Sequence, residues 1–297
     1  MRAGLPARCR SLLLLLLAAP LSACAHSPSF FQAAGPVAAE QRDLFWIVTA
    51  LLMLVVLPVF IGLPYVLWRF RQGNRQSDYR PTWDFSWKLE WLVWGVPVVV
   101  VAILGVVLWT TTHRLDPYKR LPGKSEVRVQ AVALDWKWLF IYPDQHIATV
   151  NRLVIPVGRP VHIDLTSDTV MQSLMIPQLG GQIYAMAGMR TQLNLKADRP
   201  GSYFGENTQY NGKGFHKQNF ETLAVPSAAF DAWAAQTAQG DRPLDRATYA
   251  RLSQESVIAR PISFSAVPAG MFDRIMRKYM YPEHKPVSGP AGDEAMQ

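Results

Sequence analysis

Ala133-Leu134-Asp135-Trp136-Lys137-Trp138-Leu139-Phe140-Ile141-Tyr142-Pro143-Asp144 is the stretch on which the reading of this chain turns. Residues 136–142 are almost all apolar or aromatic, as suits a strand packed against a core, and Pro143-Asp144 supplies a turn that ends it. Residues 127–132 read the same way upstream, and residues 153–156, 161–165, 192–195 and 223–225 repeat the texture downstream. Turn formers separate them, as at Pro156-Val157-Gly158 and Arg199-Pro200-Gly201. Several short strands with such punctuation predict a β-sandwich or small barrel. In Val161-His162-Ile163-Asp164-Leu165 the apolar residues alternate, which places His162 and Asp164 on the face turned away from the core. By the same period of two, Trp136 and Trp138 are expected to share one face. After Pro226 the chain becomes alanine-rich and charged, with helices expected over 228–239, 245–254 and 269–280. The Pro/Gly-rich tail, residues 285–297, is expected to be disordered.

N-terminal to this region lies most of the apolar excess. The 297 residues are 49% hydrophobic and 18% charged, against about 25% charged in ordinary soluble domains. Residues 44–68 form an uncharged run of 25 positions and residues 91–112 another of 22, each long enough to cross a bilayer. Pro58 and Pro64 are expected to kink the first. Trp46, Trp68, Trp91, Trp94 and Trp109 lie at or near the ends, where indoles favour the headgroup zone. Between the runs, residues 69–90 carry Arg69, Arg71, Arg75, Arg80 and Lys88 against Asp78 and Asp84, a basic loop suited to the cytoplasmic side. Arg114, Lys119, Arg120 and Lys124 after the second run pull the other way.

The extreme N-terminus settles that conflict. Arg2, Arg8 and Arg10 precede the leucine run of residues 12–17, and small residues follow. This order reads as a secretory signal peptide over residues 1–23, too short to be a span. Export of the N-terminus gives residues 24–43 an outer location and the hairpin an out-in-out course. Leu21-Ser22-Ala23-Cys24 resembles the bacterial lipobox, which makes Cys24 the lipidated residue; a small-x-small cleavage site at Ala23-Cys24-Ala25 is the competing reading. Cys9 and Cys24 are the only cysteines. No disulfide framework or cysteine metal cage can be built downstream. The net charge of +8 includes the three signal arginines, so it says little about partners, and no nucleic-acid role is expected.

The segment from Ala133 to Pro143 resembles the signature of subunit II of haem-copper terminal oxidases, and more closely that of the quinol-oxidising bo-type branch. Trp109-Thr110-Thr111-Thr112-His113, the run Ile176-Pro177-Gln178-Leu179-Gly180-Gly181-Gln182-Ile183-Tyr184-Ala185-Met186-Ala187-Gly188-Met189, and Gly212-Lys213-Gly214-Phe215 agree with it in order and spacing. Residues 272–280 resemble the family's C-terminal helix. The resemblance implies a membrane hairpin followed by an exported, all-β cupredoxin-like sandwich over 113–226, with a helical extension over 227–284.

In cytochrome c oxidases this domain holds a dinuclear copper centre fed by cytochrome c. The resemblance places the first histidine ligand at Gln172, the two cysteines at Asn207 and Asn211, the glutamate carbonyl at Gln209, the second histidine at Phe215 and the methionine at Gln218. No thiolate or imidazole remains at these positions, and copper favours such donors. No metal or other cofactor is therefore expected in this chain, and His216, one residue beyond, reads as an exposed loop residue, as His146 and His162 read as structural or surface residues. From His113 onward 21 Lys and Arg face 17 Asp and Glu, a poor lure for a basic cytochrome. Cytochrome c is thus not expected as a partner.

The resemblance implies instead a subunit of a ubiquinol oxidase that reduces oxygen to water and pumps protons. Haem and copper then lie in subunit I, with smaller membrane subunits and lipid as further partners, in the bacterial inner membrane with the C-terminal domain in the periplasm. Glu90, seven residues before Pro97, matches the family glutamate at the mouth of a proton-uptake path; a helix N-terminal carboxylate favoured by the macrodipole is the plainer reading. Trp136 and Trp138 are candidates for contact with subunit I. A free-standing membrane lipoprotein with a cupredoxin-like binding domain is the alternative function, but it leaves the proline-bearing hairpin and Glu90 unexplained.

Overall fold

The computed structural model describes residues 30–74, 82–123 and 125–280. Cys24, the signal segment and the C-terminal tail lie outside the described residues.

Two long helices precede the sandwich: α1, Pro36–Arg69, and α2, Trp87–Arg114. Both are apolar, and almost none of their surface is covered. At 1.5 Å per residue, the 34 residues of α1 reach about 50 Å, well beyond the ~30 Å apolar slab. Charged Glu40, Arg42 and Asp43 fill the first turns, so the apolar run begins only afterwards. Pro58 and Pro64 both fall inside an uninterrupted α-helical segment.

The start of α1 is locked into the sandwich. Ala34 N–H donates to the Gln178 carbonyl at 2.7 Å, and the Ala34 carbonyl accepts from Asp198 N–H at 2.8 Å. Gly180, at φ +123°, leaves space for Val37: a Cβ there would lie 2.6 Å from its Cγ1. A side chain at Gly180 would therefore push the helix off the sheet.

Among the described residues the sandwich has eleven strands: β1 Val127–Leu134, β2 Lys137–Tyr142, β3 Ile147–Val150, β4 Arg152–Pro156, β5 Val161–Ser167, β6 Gln172–Ile176, β7 Gly180–Ala185, β8 Thr191–Leu195, β9 Gly201–Asn207, β10 Asn219–Val225 and β11 Ile262–Phe264. One sheet runs β11-β3-β2-β1-β5-β8 and the other β4-β10-β9-β6-β7. Pairing is antiparallel except for β1 with β5 and β4 with β10, the mixed pairing of a cupredoxin-like sandwich. Between the sheets Trp138, Phe140, Leu153, Ile163, Leu174 and Phe220 are buried. Trp138 and Phe140 both pack on the Phe220 ring, at 5.9 and 5.0 Å.

Three helices follow: α3 Ser227–Ala238, α4 Arg246–Leu252 and α5 Met271–Met280. Asp245 caps α4 by accepting from Thr248 N–H at 2.7 Å. Phe230 and Ala234 of α3 join the first core. Helices α4 and α5 instead cover the outer face of the first sheet, of which β11 is the edge strand, and there Val132, Leu134, Leu139 and Ile141 meet Leu252, Phe264, Phe272 and Ile275 in a second core. The first sheet is thus apolar on both faces, which explains why residues 137–142 are buried at every position and show no polar alternation.

His162 faces away from the inter-sheet core, as alternation places it, and is buried there as a structural residue: its Nδ1 pairs with Asn194 Oδ1 at 2.9 Å, and Asn194 Nδ2 donates to the Pro117 carbonyl. The linker after α2 closes over that face. One expectation is corrected: Trp136 and Trp138 do not share a face. Trp136 has φ +66° and occupies the turn between β1 and β2, which breaks the period of two. Trp138 is wholly buried inside the sandwich and has no surface to offer a partner.

Lys137 is buried beneath the C-terminal extension. Its Nζ donates to the carbonyls of Asp135, Gln254 and Ser256 and to Ser256 Oγ, at 2.8–3.1 Å. Burial pushes its pKa down to about 8, against smaller opposing pulls from Asp135 and Glu255. Between pH 8 and the ordinary value of 10.5 the unfolded chain holds the extra proton, so stability rises with pH. Burial raises Tyr142 and Tyr249 above the usual phenol range; the unfolded chain ionises these first, so stability falls again above about pH 10. Chemical denaturation of the full chain in detergent should show a gain of about 1–2 kcal/mol from pH 7.5 to 9.5. Lys137→Met should abolish that gain, and a flat wild-type profile would refute the assignment.

Candidate functional site: an amide cluster at one pole of the sandwich

The strand ends converge at one pole. Gln172 opens β6, Asn207 closes β9, Gln218 precedes β10, and Leu134 closes β1 on the opposite sheet. Residues far apart in sequence thereby meet around one point.

Gln218 is the hub. Its Oε1 accepts from Asn207 Nδ2 at 3.0 Å and from Asn211 Nδ2 at 2.7 Å. Its Nε2 donates to the Leu134 carbonyl at 3.1 Å and to Gln172 Oε1. Gln172 Nε2 donates to Thr169 Oγ1 at 2.9 Å and more weakly to the Leu134 carbonyl. Asn207 Oδ1 accepts from the backbone N–H of Ser173 and of Gln209, and its Nδ2 also donates to the Gln209 carbonyl at 2.8 Å. Gln172, Asn207 and Gln218 are all buried. Buried amides cost free energy unless paired, and here each of these three uses both its oxygen and its nitrogen. Asn211 pairs only through its nitrogen; its Oδ1 is buried without a partner.

Trp136 and Phe215 complete the pole. The Trp136 indole N–H donates to the Asn211 carbonyl at 3.2 Å, and its ring lies so close to Gly214 that a Cβ there would come within 2.1 Å of it. Phe215 starts the short 3-10 turn Phe215–Lys217 and meets the Tyr210 ring edge-on at 5.6 Å. Thus all six positions singled out from the resemblance, Gln172, Asn207, Gln209, Asn211, Phe215 and Gln218, gather here. His216 is exposed on the same turn and His146 is exposed in the loop before β3.

Chemically the cluster offers neutral amide and carbonyl groups. It lacks the thiolate and imidazole donors that favour copper, and the amide oxygens of Gln172, Asn207 and Gln218 are already engaged with N–H donors. Among the described residues no group of three or more His, Cys, Asp or Glu could hold a metal ion. The arrangement is suited to rigidity: four strand ends are tied together without a charge.

The loop of residues 168–171, leading into Gln172, is clamped from the other side. Asp168 is buried; its Oδ1 pairs with Lys278 Nζ at 2.9 Å and its Oδ2 accepts from Tyr249 O–H at 2.8 Å. Its carbonyl accepts from Tyr279 O–H. Burial, reinforced by the Asp168 charge, raises both tyrosines. Burial alone would lower Lys278, but its contacts with Asp168 and Tyr279 outweigh it and raise the pKa. Asp168 did not stand out in the sequence. A lone aspartate in a Ser-Asp-Thr turn carries no signal of a partner 110 residues away.

Glu90 lies far from this pole in the first turn of α2. Its Oε2 accepts from Trp94 Nε1 at 3.0 Å, one helical turn on. Phe85, Trp87, Trp91 and Trp94 line a groove with it. The structure keeps Glu90 apart from the amide cluster and gives it an aromatic setting.

Comparisons with known proteins agree with this architecture. Residues 143–220 match the family model for the cytochrome c oxidase subunit II periplasmic domain, and residues 238–283 match the COX aromatic rich motif. The ubiquinol oxidase subunit 2 of Acetobacter aceti is 44% identical over 249 residues, covering 82% of this chain and 80% of its own length. The cytochrome bo(3) ubiquinol oxidase subunit 2 of Pseudomonas aeruginosa is 41% identical over 267 residues, covering 90% of this chain and 80% of its own length. The crystal structure of the periplasmic domain of subunit II of cytochrome oxidase of Bradyrhizobium japonicum aligns with a TM-score of 0.37 and 20% identity, over 39% of this chain and 96% of that one. Identity above two-fifths along four-fifths of the chain decides the matter: the chain belongs to the subunit II family of haem-copper oxidases, in the group of the ubiquinol oxidase second subunits.

Proposed function

We propose that this chain is the second subunit of a ubiquinol oxidase and carries no electron-entry centre of its own. The observation that supports this reading is the amide cluster. In the subunit II resemblance its positions belong to copper ligands, whereas here Gln218 binds Asn207, Asn211 and Gln172 to one another. Electrons then reach the complex from a lipid-soluble quinol, with haem and copper in subunit I and no role for cytochrome c. This chain braces subunit I with α1 and α2 in the inner membrane and places the sandwich on the periplasmic side. Exposed Val170, Met171 and Tyr210 adjoin Gln172 and Asn211 in sequence and give the pole an apolar rim suited to that subunit; of the two tryptophan candidates only the half-buried Trp136 can contribute. Glu90 admits protons from the cytoplasmic side. Cys24 carries the lipid anchor.

Purification of the tagged chain in mild detergent tests the reading. A large haem-bearing partner, ubiquinol-dependent oxygen uptake and no copper on the sandwich are expected. A lone haem-free protein would favour the free-standing lipoprotein, and stoichiometric copper in the domain would overturn the ligand argument. In the same preparation Glu90→Gln should slow ubiquinol-driven oxygen uptake about tenfold or more while Glu90→Asp retains most of it, as expected for a positioned proton carrier. Equal rates in all three would reduce Glu90 to a helix-terminal carboxylate.

A further inference from the structure

A second cavity, of about 270 Å³, lies where the hairpin meets the sandwich, between the start of α1, the end of α2 and the linker that follows. Its walls are held in place. Asn194 donates to the Pro117 carbonyl through both its backbone N–H and its Nδ2, and Gly181 N–H donates to Gln41 Oε1. Val37, Leu115 and Leu121 supply apolar surface, while Glu40, Asp116, Arg114, Lys119 and Arg120 supply charge.

The charges are incompletely used. Arg114 Nε pairs with Glu40 Oε2 at 3.0 Å, and the Glu40 side chain stays 43% exposed beside that contact. Arg120 reaches out to Glu126 at 3.3 Å, and Lys119 has no ion-pair partner among the described residues. Three cations facing two carboxylates, Glu40 and Asp116, over an apolar floor, match a zwitterion with a tail. The site lies at the ends of both membrane helices, a turn beyond the exposed Trp109, whose indole favours the headgroup zone.

We infer that this cavity binds the headgroup of a phosphatidylethanolamine-type phospholipid of the outer leaflet. The phosphodiester lies against Arg114, Lys119 and Arg120, the ammonium faces the Glu40 and Asp116 carboxylates, and the glycerol rests on Leu115 and Leu121. Such a lipid joins the end of each membrane helix to the sandwich at their common corner. A free inorganic anion would satisfy the cations but would use neither the carboxylates nor the apolar floor.

Native mass spectrometry of the complex, purified in mild detergent and delipidated stepwise, tests this. The wild type should retain one phosphatidylethanolamine after bulk lipid is gone, and millimolar inorganic phosphate should not displace it. K119Q/R120Q, which leaves both helices intact, should lose that lipid with an occupancy about tenfold lower, as the removal of two cationic contacts implies. Glu40→Gln should shift the retained lipid from phosphatidylethanolamine towards phosphatidylglycerol when both are supplied equally in nanodiscs. Circular dichroism confirms that each variant is folded. A wild type that retains no phospholipid, equal retention in K119Q/R120Q, or displacement by phosphate would each overturn the inference.

Discussion

Asn207→Ala should lower the thermal midpoint of the full chain in detergent by roughly 6–12 °C, the equivalent of about 3 kcal/mol in a domain of this size. Asn207 is 4% exposed. Its oxygen satisfies the N–H groups of Ser173 and Gln209, and its nitrogen satisfies the Gln209 carbonyl and Gln218 Oε1. Truncation strands three polar groups, the N–H groups of Ser173 and Gln209 and the Gln209 carbonyl, while Gln218 Oε1 keeps Asn211, and the penalty for stranded groups exceeds the net value of the bonds themselves. The loss should also spread, since networks of this kind couple their members. The double variant Asn207→Ala with Gln218→Leu should lose less than the sum of the two singles, because each removes part of the same network. Near-UV circular dichroism through the melt would measure both. A shift under 2 °C for Asn207→Ala, or strict additivity, would show that water or backbone movement replaces the lost partners.

The second large effect is expected at Asp168. Asp168→Ala removes the acceptor of Tyr249 O–H and the partner of Lys278, leaving the buried Tyr249 hydroxyl unpaired. The Lys278 side chain is 60% exposed, so the freed amine is hydrated and the full cost of a stranded buried ion does not apply. A cost of about 3 kcal/mol follows from the two lost bonds and the orphaned hydroxyl, corresponding to a roughly hundredfold rise in the undocked population of α4 and α5. Limited proteolysis should read this as faster cleavage within residues 238–280, with the sandwich itself still resistant. Asp168→Asn retains an acceptor for Tyr249 and should fall between the two. Unchanged cleavage rates in Asp168→Ala would mean that the apolar contacts of Phe272 and Ile275 hold the extension alone.

Both predictions concern one connected unit. The loop of residues 168–171 joins the Asp168 clamp to Gln172 of the amide cluster, through Thr169. The extension that matches the aromatic rich motif therefore buttresses the pole from outside while Gln218 ties it from within. Lys137 acts in the same sense further along, holding residues 254–256 by donating to their carbonyls. Hydrogen-bonded amides fasten the pole without a charged group.

Several features were readable from the amino-acid sequence because the physics behind them is local. Helices α1 and α2 follow from uncharged runs long enough for a bilayer, a criterion that needs no knowledge of the rest of the fold. Strands β1, β2, β4, β5, β8 and β10 follow from short β-prone segments between turn residues. The shorter or more polar β3, β6, β7, β9 and β11 gave no such pattern: β7 is Gly-Gly-Gln-Ile-Tyr-Ala and is a strand only because β6 supplies its partner. The absence of cysteine and histidine from the six positions at the pole was likewise plain from composition.

What covers what was decided by tertiary structure. Alternation turned His162 away from the core, and only the linker at Pro117 decided that this face is buried. A period of two paired Trp136 with Trp138, and a turn residue at positive φ separated them, one into the pole and the other into the core. Asp168 and Lys137 look like surface charges until residues more than a hundred positions away close over them. The sequence by itself determined two helices long and apolar enough to cross a bilayer, the β character of the domain that follows and the absence of cysteine and histidine from the six positions at the pole, since each depends on residue type and near neighbours. That Gln172, Asn207, Asn211 and Gln218 satisfy one another was decided only when two sheets brought their strand ends together, because a hydrogen bond is a relation between groups in space and has no signature in either residue alone.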